Sequence, residues 1–269
     1  MSFVETDAYS IAAIALTASC AALLCASRAA PGSRRGIVAR VGPWIAAVAL
    51  LALCIGLAAR GAACGRWPLG TFFEFTVAFA ASTVLVYLLV RRGQPAPLAE
   101  AAVTLLALVV LLRALLGQPG AAGTAQALLP VMGGPWFIRH TLLVAIAYGA
   151  LAVAGSAGLS AIVAPRRSTA AFVDGAMAVG YVGLSLGMIT GGIGGELAWG
   201  DYWTWSVKET WTLVTWLACT LYYHVRRRRG WRGTRALIVA VMISVTVCAN
   251  LFLTPILLRW TRLQRWRIY

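Results

Sequence analysis

Polar residues in this chain are gathered into short breaks between long apolar runs. A helix that crosses the roughly 30 Å of bilayer hydrocarbon needs about 17–25 mainly apolar residues. Eight runs meet that need, near 8–27, 42–59, 71–90, 97–116, 137–163, 171–193, 211–225 and 236–258. The fifth exceeds one crossing, which predicts a helix that tilts or starts outside the bilayer. The seventh is short and has to take length from the residues before it. No soluble domain, long linker or repeat separates the runs. The pattern therefore predicts one polytopic domain over residues 1–269, an all-α integral membrane bundle of about eight transmembrane helices.

Composition strengthens that prediction. Hydrophobic residues make up 61% and charged residues 12%, with a mean hydropathy of +0.81, more apolar surface than a water-soluble core of this length can use. The net charge of +15 would suit nucleic acid if it formed a surface, but the arginines lie in the breaks between spans. There they orient membrane helices and meet the lipid bilayer, so a nucleic-acid partner is not expected. The six cysteines form no CxxC pair and no cysteine–histidine cluster, which points to neither a zinc site nor a disulfide framework. Glu5 and Asp7 precede the first apolar run, unlike a cleaved signal peptide, so that run is expected to remain as a span.

Orientation follows from the positive charges in alternate breaks. The breaks at 28–40, 91–97, 164–170 and 225–235 hold fourteen Arg or Lys residues, whereas the opposite side holds Arg60, Arg66, Arg139 and Lys208. The richer side should face the cytoplasm, with the N-terminus outside. The tail "RWTRLQRWRIY" puts four arginines on the supposed outer side, so a bundle with one fewer span is the alternative. On this topology His140 lies at the outer end of span five and His224 near the cytoplasmic end of span seven.

The segment "GGELAWGDYWTWSVKETWTLVTWL" (194–217) carries five of the eleven tryptophans, three of the eight acidic residues and the only lysine. Interfacial anchoring accounts for one or two tryptophans, but not for Lys208 and Glu209 inside the aromatic group. Trp199 and Trp203 are four residues apart, as are Trp205 and Glu209, a spacing that predicts one helical face for each pair. Gly191, Gly192, Gly194 and Gly195 are expected to release span six and let a ligand approach the backbone. Indole faces with charged edges suit a large, flat amphipathic ligand: a porphyrin, a quinone head group or a lipid.

"WGDYWTWSVKETWTLVTWLACTLYYH" closely resembles the tryptophan-rich signature of the CcsA family of system II cytochrome c maturation, WGxYWxWDPKETWxLxTWLxYxxYLH. "PLGTFFEFTVAFAASTVLVYL" (68–88), "WFIRHTLLVAIAYGAL" (136–151) and "TGGIGGELAWG" resemble other parts of the family, so the likeness runs from about 68 to 252. The tryptophan-rich outer segment itself is 194–211. The resemblance implies a protein that moves haem b across the membrane and presents it to the CxxCH cysteines of apocytochrome c. Haem would be a transient ligand, and the protein a subunit of a cytochrome c haem-attaching synthase beside a CcsB/ResB-type membrane partner. Trp199, Gly200, Tyr202, Trp203, Trp205, Lys208, Glu209 and Trp211 fall on signature positions. His140 falls on an outward axial ligand and His224 on a histidine near the cytoplasmic side, which makes both candidate iron ligands.

This chain departs from the pattern in three places. Ser206 and Val207 stand where relatives have aspartate and proline, which predicts a looser turn. The family's second outward histidine is missing: after "CANLF" the chain reads "LTPILLRWTRLQRW". Water, a partner subunit or Met132 are the candidates for the vacant axial position. Arg139 could pair with a propionate, though an ordinary interfacial arginine is favoured slightly. Glu74, Asp174 and Arg113 are equally consistent with solvation and with function. No acid/base constellation is visible, so any catalysis would come from positioning. Two other readings fit the same residues: a haem-sensing or assembly protein that binds haem without transferring it, and a scaffold whose tryptophans only pack. The alanine- and arginine-rich composition points to a high-GC bacterium and hence the plasma membrane, although a plastid membrane also suits the family.

Overall fold

The computed structural model describes residues 3–28, 35–91, 96–116, 130–165, 167–228 and 233–253. Among these residues eight α-helices follow one another: α1 (Phe3–Arg28), α2 (Arg35–Cys64), α3 (Phe72–Val90), α4 (Pro97–Leu116), α5 (Pro135–Val163), α6 (Arg167–Trp199), α7 (Val207–Arg227) and α8 (Thr234–Cys248). A 3-10 turn at Pro130–Gly133 leads into α5 and a π-helical turn at Ala249–Leu253 extends α8. No strand occurs among the described residues. Among the described residues seven helices are long and apolar enough to cross a membrane, all but α7, with α8 counted through its π-helical extension to Phe252, as in a multi-pass membrane protein. α7 has the length, about 31 Å at 1.5 Å per residue, but Lys208, Glu209, His224, Arg226 and Arg227 occupy its ends. The last expected span reaches 258, and its final residues lie outside the described ones.

Consecutive helices run antiparallel, and specific contacts fix the registers. Ser19 Oγ donates to Gly42 O at 2.8 Å between α1 and α2. Tyr87 Oη donates to Glu100 Oε2 at 2.8 Å between α3 and α4. Between α6 and α7, Trp216 Nε1 donates to Ser185 Oγ at 2.9 Å while Tyr181 and Thr220 hydroxyls meet at 3.1 Å. One end of the bundle, called the motif end below, thus gathers the starts of α1, α3, α5 and α7 and the ends of α2, α4, α6 and α8.

α5 is the central helix, packed on α3, α4, α6 and α8. Its closest partner is α6, and glycine makes that approach feasible. Gly180, Gly183, Gly187, Gly191 and Gly194 face Leu151, Ala147, Val144, His140 and Trp136 in turn. A Cβ would stand 2.5 Å from Leu151 Cδ2 at Gly180 and 2.9 Å from Val144 Cγ2 at Gly187. Lipid offers apolar side chains no solvophobic gain, so close backbone approach through small residues is what binds membrane helices together. A chain of buried residues from Tyr9 in α1 to Leu251 after α8 forms one core. α7 buries one stripe only, Thr215, Cys219, Tyr222 and Val225, and so lies at the edge, where its first turn can carry an exposed loop.

Candidate functional site

The middle of the tryptophan-rich segment, residues 200–206, is an interhelical loop rather than a helix, with Trp199 ending α6 and Trp211 inside α7. α6 continues through Gly191, Gly192, Gly194 and Gly195 to Trp199, so these glycines do not release the helix as the sequence led us to expect. Their place is explained by contacts. A Cβ on Gly195 would lie 2.9 Å from Asp201 O, and one on Gly192 3.3 Å from Tyr202 O, because the loop folds back across the last turns of α6. The chain turns at Gly200 (φ 78°) and again at Trp205 (φ 56°). A left-handed tryptophan is a costly conformation that must be held by its surroundings. The expected helical pairings of Trp199 with Trp203 and of Trp205 with Glu209 therefore do not occur.

Glu209 holds the loop in place. Its Oε2 accepts hydrogen bonds from Ser206 N at 2.8 Å, Thr204 N at 3.0 Å and Thr204 Oγ1 at 2.9 Å. Ser206 Oγ in turn accepts from Glu209 N at 3.3 Å, completing a capping box at the start of α7. The turn is thus not left loose by the replacement of aspartate: serine is as good an N-cap. Val207 occupies the first helical position, where proline would only preset φ. Ser206→Ala should cost about 1 kcal/mol of stability, and Val207→Pro should add about 0.4–1 kcal/mol, both read from unfolding of the detergent-solubilised protein.

His140 stands in the second turn of α5, beneath this loop. Its Nδ1 lies 2.8 Å from Gly187 O. A carbonyl oxygen can only accept, so a proton is on Nδ1, and in the neutral ring the lone pair is then on Nε2, the tautomer a metal-ligating imidazole needs. Thr190 Oγ1 donates to the same carbonyl at 3.1 Å. Gly191 makes room for the ring: a Cβ there would fall 2.6 Å from Nδ1 and 2.8 Å from Cε1. In the loop and the turn before it the aromatic groups are left open, with Trp199 49%, Tyr202 63% and Trp205 69% exposed. Trp203 is partly buried, edge-on to Trp205 at 5.9 Å and 84°, and its Nε1 is a buried donor without a hydrogen-bond partner among the described residues. Lys208 is exposed and Trp211 partly buried.

A second polar centre lies at the same end. Glu74 is fully buried and receives Arg60 Nε at 2.7 Å and both Arg66 Nη atoms at 2.9 Å. Gly70 N and Thr71 N donate to it as well, at 2.9 and 3.0 Å. The carboxylate is a structural hub rather than a solvated edge group, and its hydrogen bonds raise the Arg66 pKa above the ordinary value. Arg139 lies over the Trp136 ring at 5.0 Å. Between α5, α7 and the π-helical turn, Asn250 Nδ2 donates to Tyr148 Oη at 2.8 Å, and Tyr148 meets Thr212 Oγ1 at 3.3 Å.

His224 is exposed in the last turn of α7, at the opposite end from His140. Near it an open depression of about 530 Å³ is lined by Asp174, Tyr223, Arg226 and Arg227. Asp174 is held there by Tyr222 Oη at 2.5 Å and by Arg226. Among the described residues no group of three or more His, Cys, Asp and Glu could hold a bare metal ion. The structure thus puts His140, packed on Gly187 and Gly191, at the same end as the loop that folds over Gly192 and Gly195, and His224 at the other end.

Residues 69–260 match the family described as cytochrome C assembly protein. The chain belongs to that family. Among its relatives, the cytochrome c biogenesis protein CcsA of Synechococcus sp. (strain CC9902) is 30% identical over 256 residues, covering 80% of this chain and 83% of that one. CcsA of Parasynechococcus marenigrum (strain WH8102) is 29% identical over the same coverage. A divergent CcsA-type member of the cytochrome c assembly family is what these similarities establish. The solved structure of cytochrome c heme lyase CcmF superposes with a TM-score of 0.73 at 17% identity, over 93% of this chain and 46% of that one. That likeness extends the shared fold to a much longer protein.

Sequence reading singled out the aromatic segment and His140 but missed the main-chain and glycine contacts that position them. Gly187 O, Gly191 and Thr190 carry no chemical signature of their own. Their signal was the spacing of glycines at 180, 183, 187, 191 and 194, one face of a helix.

Proposed function

We infer a role in cytochrome c maturation, which membership of the cytochrome c assembly family supports. We propose that this protein takes haem b to the outer face of the plasma membrane and holds it on the tryptophan-rich loop for attachment to apocytochrome c. In this reading it is one polytopic domain working with a CcsB/ResB-type subunit, with its N-terminus and motif end outside. The observation that carries the proposal is the His140 imidazole, its Nδ1 bonded to Gly187 O, at the same end of the bundle as the loop whose indoles Trp199 and Trp205 are exposed.

The residues fit a haem on three counts. An axial nitrogen is available in the correct tautomer. The faces of Trp199, Trp205 and Tyr202 are exposed for contact with a flat ring. The orphaned Trp203 Nε1 and the exposed Lys208 are donors that suit propionate oxygens. When bound, haem supplies the vinyl groups that receive thiols. The protein's part is to orient the ring, and Glu209 serves by fixing the loop rather than by touching the ligand. His224, with the neighbouring Arg226 and Arg227, is assigned to the cytoplasmic side, where haem would be received.

The deciding experiment is expression with haem supply and a reporter apocytochrome c, in cells lacking their own system. Haem on the purified protein together with covalent cytochrome is the expected result. Haem without cytochrome would mark a protein that only holds it. Absence of haem would overturn the reading. Gly191→Val, which drives a side chain into the imidazole, should lower haem occupancy roughly 10–100-fold, as loss of an orienting group does. Gly191→Ser should fall between the two, measured by the pyridine haemochrome content per protein.

A further inference from the structure

On the basis of that reading, we propose that Asn250 and Tyr148 are positioning residues: a hydrogen-bonded clasp inside the bundle that holds the first turns of α7, and with them the tryptophan-rich loop, at a fixed height against the helix that carries His140. The loop joins α6 to α7, so its place depends on both. α6 is pinned to α5 by close packing along its glycine face and by Gly187 O at His140. α7 has no such seam. Among the described residues it packs on α8, less on α6, and scarcely on α5.

The clasp supplies the missing link. Asn250 Nδ2 donates to Tyr148 Oη at 2.8 Å, so the tyrosine's own proton is directed elsewhere. Thr212 Oγ1 lies 3.3 Å from that oxygen and donates to Lys208 O at 2.8 Å. A hydroxyl carries one proton, so Tyr148 is the donor to Thr212. The bonds then run one way, from Asn250 through Tyr148 and Thr212 to the main chain at Lys208. The next residue is Glu209, whose carboxylate holds the amides of Thr204 and Ser206. Asn250 and Tyr148 are both buried, where an unmatched polar group is costly.

Neighbouring hydroxyls do not make a second clasp. Thr215 and Thr246 meet between α7 and α8 at 3.2 Å. Each gives its proton to its own helix, to Trp211 O at 2.8 Å and to Ile243 O at 2.7 Å, so their contact has none to share. The backbone also marks Asn250. It lies in the π-helical turn Ala249–Leu253, which takes its side chain off the register that a continuing α-helix would give, and such turns are frequent at functional positions. Tyr148 stands eight residues past His140, about 12 Å along α5 and about 80° around it. One helix thus meets α6 with its histidine and α7 with its tyrosine.

The test is hydrogen exchange of the full chain in detergent, read by mass spectrometry on peptides covering 200–211, with haem content and the reduced α band recorded beside it. Asn250→Ala removes the donor at the head of the chain. Tyr148→Phe and Thr212→Val each remove one hydroxyl and keep the shape, whereas Thr212→Ser keeps the hydroxyl. In the first three variants exchange at 200–211 should rise roughly five- to tenfold, the effect of one lost hydrogen bond. Peptides from α1 to α4 should stay as in wild type, and Thr212→Ser should match wild type throughout. The α band should broaden in the same three variants as the haem takes more than one arrangement. Exchange that rises evenly along the whole chain overturns the inference, because the residues are then ordinary structure. Unchanged exchange in the loop, an unchanged α band over a loosened loop, or Thr212→Ser behaving as Thr212→Val overturns it too, and each leaves the proposed function standing. A wild-type protein free of haem overturns that function instead, while the exchange pattern still decides whether the clasp holds the loop.

Discussion

His140→Ala is expected to abolish haem retention while leaving the fold in place. In the proposed reading the imidazole is the iron ligand at the motif end, and losing it should weaken binding by more than the roughly 10–100-fold caused by loss of an orienting partner. The structural cost is smaller. Alanine is favoured in a helix interior, α5 keeps its packing on α6, and one hydrogen bond to Gly187 O is lost, about 1 kcal/mol. The two effects separate in measurement. Reduced α and β bands should vanish from the purified variant, while its thermal unfolding moves little. Added imidazole should restore the bands in part, because Gly191 leaves open the space that the ring occupied. Unchanged bands in the variant would remove His140 from the site, and the loop would then have to bind by stacking alone.

What the sequence made legible was whatever has a period or a rare composition. Seven spans could be placed because a bilayer demands uninterrupted apolar runs. α7 was the short one because its first turn is built from the polar motif, and it remains the helix that hydropathy does not mark. The aromatic segment stood out by composition, yet its conformation did not. Spacing by four suggested helical faces for Trp199 and Trp203, but the left-handed turns at Gly200 and Trp205 arise from tertiary contacts with Gly192 and Gly195 on the preceding helix. Ser206 is instructive in the same way. Comparison with the family pattern made it a defect, whereas the Ser206–Glu209 capping box was readable from S-x-x-E alone. Orientation of His140 by a main-chain carbonyl leaves no trace in residue identity, since any residue at 187 carries that oxygen. Only glycine, however, admits the approach of α5 to within hydrogen-bonding reach.

Glu74→Ala should be the most destabilising substitution of a residue distant from the loop, by about 3–5 kcal/mol, the usual cost of removing one partner from a buried ionic group. The carboxylate is fully buried. It receives two guanidiniums and two main-chain amides, so truncation withdraws the counter-charge from Arg60, itself buried, and dissolves the Thr71–Glu74 capping box that starts α3. Glu74→Gln distinguishes these contributions. Glutamine still closes a capping box and still accepts from Arg66, but it carries no charge. Unfolding in detergent should therefore rank wild type above Glu74→Gln above Glu74→Ala, with most of the loss already present in glutamine if charge dominates. Arg66→Ala should cost less than either, because Arg66 is partly exposed and Arg60 keeps its carboxylate. A loss below about 1 kcal/mol for Glu74→Ala would mean that water reaches the cluster and screens it, as at a surface pair. The hub would then be an entrance to the motif end rather than its foundation. Haem retention in Glu74→Gln gives a second readout. α3 packs alongside α5, with Leu69 and Phe75 in the same apolar cluster as Ile138, two residues before His140. If the hub sets the position of α5, the glutamine variant should lose haem together with stability, and restoring stability with Val207→Pro should not recover it.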